Sequence, residues 1–237
     1  MRIVFWQNCL SPHQLPYIVR LLEDKRVDVV VVAAGEDISD ERRRMGWDVT
    51  SYPGLDRCEV YLNPMPQTVE HLLSVRLEDS YHLFSGIRGF PFVFKVFLRS
   101  LRYKLRRGLI TERPNTYAFN RANGKPLWLH RIRFFFQDRK YASYIRYVFA
   151  MGDEAVDYFH SVWKKWEVFP FAYCTRGMSG TPVIPDIPID TPPRFLFIGG
   201  LSNRKAPLDI LRADVLLKNV NGGDDKLYRK RIGISNA

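Results

Sequence analysis

A glycine turn with two cations beside it lies late in the chain. An apolar strand is predicted over 195–198, and a helix is expected to begin at Pro207, which suits the first helical position. Between them, glycine lets an anion approach the backbone, the helix amides point toward the anion and the cations neutralise its charge. The segment therefore predicts a phosphate-binding turn, and its candidate contacts are Gly199, Gly200, Arg204 and Lys205.

The place of this turn in the chain bears on its interpretation, because such a turn usually opens a nucleotide-binding domain. The sequence of 237 residues ends about thirty residues after Pro207, too few for a domain of ordinary size. A strand, a glycine pair and a helix also follow one another in α/β proteins for turn geometry alone. On these residues, phosphate contact and plain turn geometry both stay open.

A second group of polar side chains follows the first predicted strand. Open α/β sheets bind ligands at the carboxyl ends of their strands, so the loop after this strand is a candidate ligand contact. Its polar residues are Asn8, Ser11, His13 and Gln14, among which His13 is favoured. A solvated loop whose turn is set by Pro12 is the equal alternative.

Glu112 ends a later predicted strand and precedes Arg113. A carboxylate at that place can act as a general base, and a solvated carboxylate paired with Arg113 explains it equally well. His82 lies within a strand-like run, which predicts a hydrogen-bonded core histidine. The chain has no Asp-x-Asp after a strand and no histidines with ligand spacing, so we expect neither a metal nor a cofactor.

Strand-like and helix-like segments alternate through the first part of the chain. Apolar, β-branched runs predict the strands, and apolar residues at helical spacing predict the helices. The predicted strands cover 3–6, 27–33, 59–62, 81–84, 109–111, 147–150 and 167–171, and the main helices cover 15–22, 68–73, 92–106, 127–144 and 153–166. This alternation predicts an α/β fold with a Rossmann-like parallel sheet and helices on both faces.

The amino-acid composition changes after this region. Glycine and proline recur between 174 and 193 and break any regular element there. We therefore expect a Rossmann-like domain over 1–173, a linker over 174–193 and the start of an incomplete second α/β domain over 194–237.

The charge and composition of the chain limit the classes of binding partner and the cell compartment that we expect. The chain carries a net charge of +11 and 46% hydrophobic residues, enough for a core and for attraction to an anionic partner: nucleic acid, an anionic membrane or a phosphorylated substrate. Three cysteines without a CxxC pair favour a reducing compartment, and no apolar run reaches the roughly 18 residues of a membrane span. A cytoplasmic location is expected.

The predicted helix over 92–106 combines an apolar face with many cations, and no acid lies between Gly86 and Glu112. Each cation near an anionic surface contributes about 1 kcal/mol, so this helix can hold the protein reversibly at a membrane. The alternative is that the apolar face packs on the sheet and the cations are solvated, and both can hold at once. The predicted membrane-facing cations are Lys95, Arg99, Arg102 and Arg106.

Aromatic and basic residues also concentrate between Arg131 and Arg146, where they could stack on bases and neutralise phosphates. Helical spacing predicts core packing instead for Ile132, Phe135, Phe136 and Tyr144. The sequence carries no recognised nucleic-acid motif. No nucleic-acid partner is therefore expected.

The segment Phe197-Ile-Gly-Gly-Leu-Ser-Asn-Arg-Lys-Ala resembles the F-V-G-R-L-x-x-x-K-G motif that opens the donor-binding domain of the family 4 GT-B glycosyltransferases. Ser11-Pro-His-Gln lies where that family places acceptor loops. The segment 149–159 resembles the last strand-to-helix turn of the acceptor domain, and 169–173 resembles the segment before the crossover. The resemblance covers roughly residues 1–213 and depends on the order and spacing of these segments together.

The resemblance implies an enzyme that transfers a sugar from a nucleotide-sugar donor to a cell-surface glycan or a lipid-linked acceptor, with Lys205 on the donor diphosphate and Glu112 at a strand end that faces the cleft. The arginine of the family motif falls on Gly200, however, and its last glycine falls on Ala206. The later E-x7-E motif has no counterpart. We therefore expect an acceptor-side GT-B domain with an incomplete donor site, weakly active or inactive alone.

A lipid-linked acceptor would suit peripheral attachment to the inner face of the cell membrane. The alternative function is a non-catalytic basic α/β module that docks on an anionic membrane or on a partner and transfers nothing. The missing donor motif favours this alternative for the chain itself, even if related proteins are enzymes.

Replacement of Lys205 by alanine is expected to weaken nucleotide-sugar binding, because it removes the cation that would face the diphosphate. Thermal shifts with UDP- and GDP-sugars measure the effect. An unchanged affinity would remove Lys205 from the site, and near-normal transfer rates by the purified chain would contradict an incomplete donor site.

Overall fold

The computed structural model describes residues 1–44, 47, 49, 51–114, 127–175 and 207–221. The chain divides into two compact units, one built from Met1–Asn115 and Pro126–Gly180 and the other from Thr116–Lys125 and Thr181–Ala237. All strands of the described residues lie in the first unit.

Seven parallel strands form one sheet in the order β3-β2-β1-β4-β5-β6-β7. They are β1 (Arg2–Cys9), β2 (Val29–Glu36), β3 (Glu59–Leu62), β4 (Ser80–Phe84), β5 (Arg106–Glu112), β6 (Tyr147–Met151) and β7 (Glu167–Phe171). The seven strands predicted in the first part of the chain are confirmed. Because β1 and β4 are neighbours, the strand order reverses between them, as it does in Rossmann-like folds.

Helical segments connect successive strands. They are α1 (Leu15–Leu21), α2 (Asp40–Arg44), a 3-10 turn (Leu55–Arg57), α3 (Pro66–Ser74), α4 (Pro91–Ser100), α5 (Leu127–Arg133), a π-helical turn (Phe134–Asp138), α6 (Arg139–Ala142) and α7 (Asp153–Val162). The long predicted helix over 127–144 is thus three successive helical segments. The sequence did not predict α2, whose five residues are all charged and show no apolar spacing.

Helix α4 corrects the sequence prediction, because it ends at Ser100 and not at residue 106. Arg106 begins β5, and the next residue, Arg107, is buried instead of solvated. The Arg107 guanidinium donates from Nε to Ser100 Oγ at 2.9 Å and from Nη2 to the Tyr103 carbonyl at 2.6 Å. It therefore satisfies groups at the end of the helix that would otherwise be unpaired.

Alternate residues of the strands fill two cores, one on each face of the sheet. On one face Val4 and Trp6 pack with buried side chains of α3, α4 and α7. On the other face Phe5 and Val32 pack with Ile18 of α1. A parallel sheet between helices on both faces is the α/β, Rossmann-like fold that the sequence predicts.

The second unit contributes one described helix, α8 (Pro207–Asn221), which begins at the predicted residue. Three leucines on it, Leu208, Leu211 and Leu216, are each more than half exposed. The predicted strand over 195–198 and the glycine turn after it lie outside the described residues.

His82 is confirmed as a hydrogen-bonded core histidine. It lies in β4 with no exposed surface, and its Nδ1 accepts a hydrogen bond from Trp6 Nε1 at 3.0 Å. Burial, together with the positive charges of Arg2 and Arg107, lowers the pKa of His82 to about 3. The imidazole is therefore neutral in the folded protein at any physiological pH.

We expect His82 to make the fold sensitive to acid. The unfolded chain binds the proton near pH 6.5 and the folded chain only near pH 3. Between these values the free energy of unfolding should fall by up to about 1.4 kcal/mol for each pH unit of acidification. His82→Asn keeps an acceptor for Trp6 but cannot titrate, so its stability should fall less steeply between pH 7.5 and 5. Urea unfolding followed by tryptophan fluorescence measures both slopes.

The matched control is His71→Asn, because His71 lies exposed on α3. This control should keep the slope of the unchanged protein. Equal slopes for the unchanged protein and His82→Asn would contradict the assignment of the acid sensitivity to His82.

Candidate functional site

The loop after β1 is held in shape by its own polar side chains. The Ser11 amide donates to Gln14 Oε1 at 3.0 Å, and the His13 amide donates to Ser11 Oγ at 3.3 Å. Gln14 Nε2 in turn donates to Oε1 of Gln7 at 3.0 Å, and Gln7 is almost fully buried in β1. Ser11 and Gln14 therefore serve the turn that presents His13.

His13 lies between two aromatic rings. The Trp47 ring meets it edge to face with a centroid separation of 5.8 Å, and the Tyr173 ring lies on it at 5.8 Å with a tilt of 59°. The chain after β7 is fixed there as well, because the Cys174 amide donates to the His13 carbonyl at 3.3 Å. The loops after β1 and β7 thus meet at His13.

Tyr173 joins this contact to the end of β5. Its hydroxyl donates to Glu112 Oε1 at 2.6 Å, across 61 positions of sequence. Partial burial and this hydrogen bond raise the pKa of Tyr173, so the phenol stays protonated and remains a donor to the carboxylate. His13 and Glu112, the two candidate residues for the chemistry, therefore both contact Tyr173.

A cavity of about 500 Å³ opens at the carboxyl ends of β5, β6 and β7. Among the described residues, its charged lining consists of Glu112, Asp153 and Glu154 with one cation, Arg113, which pairs with Glu154. Asp153 and Glu154 occupy the first turn of α7, where carboxylates complement the helix dipole. A chain of net charge +11 thus places negative charge in this cavity, which suits a ligand rich in hydroxyl groups better than a phosphate.

Gly152 forms the turn from β6 to α7 at the wall of the cavity. Its φ of 89° and ψ of 154° belong to a region that is essentially restricted to glycine. Its amide donates to the Phe171 carbonyl at 3.1 Å, and its carbonyl accepts the Ala155 amide at 3.0 Å. The turn therefore connects the end of β7 to the start of α7 through hydrogen bonds of one residue, Gly152.

The structure adds residues to the sequence-predicted set and changes the place of others. Asn8 lies inside β1, which extends to Cys9, and not in the loop that follows. Sequence reasoning did not single out Gln7, Trp47 or Tyr173. Only Tyr173 left a signal, since it ends the segment 169–173 whose resemblance was noted.

Among the described residues, the predicted membrane-facing cations do not line this cavity. Gly199, Gly200, Arg204 and Lys205 lie beyond the part of the chain that the structure describes. Lys95 and Arg102 are exposed and Arg99 is half-buried. Arg106 is in β5 with its guanidinium over the Tyr81 ring at 5.0 Å, so its predicted place on the basic helix was wrong.

Within the described ranges, no three or more His, Cys, Asp or Glu side chains are grouped as metal ligands would be, and no helix is both long and apolar enough to cross a bilayer. No protein-family model matches the chain, and no curated protein or solved structure resembles it closely enough to count as similar. The resemblance to glycosyltransferases therefore depends on the quoted sequence segments alone.

Gly152→Ala is expected to destabilise the protein by about 1–3 kcal/mol, because a Cβ disfavours the backbone conformation of this turn. An alanine Cβ would meet no atom within 4 Å, so the cost comes from the backbone and not from a clash. Gly89→Ala is the matched control, since its Cβ also meets nothing and its φ is not positive. Urea unfolding compares the two, and equal stabilities would contradict the strain at Gly152.

Proposed function

We propose that residues 1–173 form the acceptor-side domain of a GT-B-type glycosyltransferase, which transfers a sugar from a nucleotide-sugar donor to a glycan or lipid-linked acceptor. The observation that carries the proposal is Glu112, a carboxylate held by Tyr173 in an acidic cavity at the carboxyl edge of a Rossmann-like sheet. That edge is where open α/β sheets bind their ligands.

The chemistry requires a base beside an acceptor hydroxyl. In the transfer, the acceptor oxygen bonds to the anomeric carbon of the sugar, the bond from that carbon to the diphosphate breaks, and the acceptor hydroxyl loses its proton. We assign the proton to Glu112, whose exposed side chain lines the cavity while its Oε1 accepts from Tyr173. His13, whose ring contacts the ring of Tyr173, is the candidate for orienting the acceptor.

The leaving diphosphate needs its own positive groups. In the described lining of the acidic cavity the one cation is Arg113, which pairs with Glu154. We assign that role to the segment of Gly199, Gly200, Arg204 and Lys205, on the strength of the sequence resemblance. Because the arginine of the family motif falls on Gly200 and its last glycine on Ala206, we propose that the chain alone is weakly active or inactive. A cytoplasmic location, peripheral on the inner membrane face, belongs to the same proposal.

A second candidate function is a non-catalytic module that docks on an anionic membrane or partner. The observation that favours it is the exposure of Phe135 and Phe136, for which the sequence predicted core packing, together with that of Trp128. This candidate and the transferase are compatible, since a transferase that acts on lipid-linked acceptors also needs a way to reach the membrane.

Glu112→Gln is expected to weaken binding of a sugar acceptor about ten- to a hundredfold, because a hydrogen bond to a charged group contributes about 1.5–3 kcal/mol. Saturation-transfer NMR with a panel of simple glycosides and lipid-linked sugars identifies a ligand and measures the loss. Glu78→Gln is the control, because Glu78 is an exposed carboxylate just before β4, at the amino edge of the sheet. If no sugar binds, or if Glu112→Gln binds as well as the control, the acceptor site is wrong.

A further inference from the structure

Four large apolar side chains form a stripe on the outer side of the helical segment 127–142. Their exposed fractions are 57% for Trp128, 45% for Ile132, 54% for Phe135 and 77% for Phe136. Ile132 follows Trp128 by four residues, and Phe135 and Phe136 follow Ile132 by three and four, so the four side chains share one face of a helix. The opposite side is anchored in the core by Phe134 and Ala142. The helix thus packs by one face and exposes a second apolar face.

Cations surround this stripe. A cavity of about 600 Å³ next to it is lined by Phe135 and Trp163 together with Arg131, Arg139, Lys164 and Lys165. No carboxylate lines this cavity among the residues that the structure describes. Asp138, the acid of the π-helical turn, pairs with Arg88 at 2.8 Å. The cations that line this cavity can therefore bind an anionic partner.

We propose that this surface docks on an anionic lipid bilayer. It consists of the apolar stripe of Trp128, Ile132, Phe135 and Phe136 with the cations Arg131, Arg139, Lys164 and Lys165, and we call it the aromatic–basic surface. The stripe enters the boundary between head groups and acyl chains, and the cations bind lipid phosphates. Aromatic rings favour that boundary because they are apolar with polarisable faces.

The ring geometry favours a bilayer over nucleic acid. Stacking on successive bases requires accessible, roughly parallel ring faces. Phe135 and Phe136 instead meet at 86°, and the Arg139 guanidinium covers the Phe135 ring at 4.7 Å. Ile132 has no ring to stack. A bilayer accepts such a mixed apolar surface in any ring orientation.

The surface lies on the same side of the sheet as the basic helix α4. Tyr141 of α6 contacts Phe94 and Phe97 of α4 edge to face, with ring centroids 6.0 and 5.7 Å apart. Two exposed cations, Lys95 of α4 and Arg102 just after its end, can therefore add attraction to the same bilayer. The aromatic–basic surface nevertheless carries the proposal, and it does so whether or not the protein transfers sugar.

The test is sedimentation of the full chain with vesicles of phosphatidylcholine, alone or mixed in equal parts with phosphatidylglycerol, at low and high ionic strength. We expect binding to the mixed vesicles, at least about tenfold weaker binding to phosphatidylcholine alone, and weakening by salt. Trp128→Ser with Phe136→Ser, and separately Lys164→Ser with Lys165→Ser, should each reduce binding about tenfold or more. All four side chains are largely solvent-exposed, and circular dichroism checks the fold of each variant.

Two controls remove an exposed apolar side chain or an equal number of cations elsewhere. Met65→Ser removes an exposed side chain before α3, and Lys25→Ser with Arg44→Ser removes two exposed cations before β2 and in α2. Both should bind within about threefold of the unchanged protein. No binding to mixed vesicles at low salt overturns the proposal. So does an equal loss in the controls, or preference for a single-stranded oligonucleotide that abolishes vesicle binding. None of these outcomes bears on sugar binding at Glu112, which the NMR experiment tests separately.

Discussion

Parallel pairing of all seven strands is the constraint on which the rest of the structure depends. Parallel neighbours cannot be joined by a tight hairpin, so each connection crosses a face of the sheet as a helical segment, and both faces become cores. The same constraint brings every strand's carboxyl end to one edge. Glu112 and Met151 are register partners there, which places the candidate base beside the Gly152 turn and the start of α7. The acidic cavity is therefore a product of the topology.

Local patterns sufficed for most of the fold. Runs of β-branched residues predict strands such as β2. The alternation of strands with helices predicts that the sheet is parallel. The end of α4 could not be predicted in this way, because Leu101 and Leu105 continue the apolar spacing beyond Ser100. What ends the helix is Arg107, a residue of the next strand that folds back onto the helix end. Such a contact is set by tertiary structure and leaves no periodic signal.

The sequence singles out residues of the candidate site only where a rule ties position in the fold to function. His13 and Glu112 follow from the rule that ligands meet the carboxyl ends of strands. Tyr173 does not follow from this rule. Its contacts to Glu112 and His13 join residues that are remote in sequence and meet only when β7 is in place. The exposed stripe shows a different limit. Helical spacing groups Ile132, Phe135 and Phe136 on one face, but it does not say whether that face points to the core or to solvent.

Helix α7 runs between regions of opposite charge. Asp153 and Glu154 open it at the acidic cavity, and Lys164 and Lys165 follow its end. Ten residues of helix separate these ends by about 15 Å, and the backbone dipole is aligned with favourable charges at both. An anionic plane attracts one end and repels the other, so it turns the domain in solution before any contact forms. Long-range steering would thus bring the Lys164 and Lys165 end of the helix to the charged plane first.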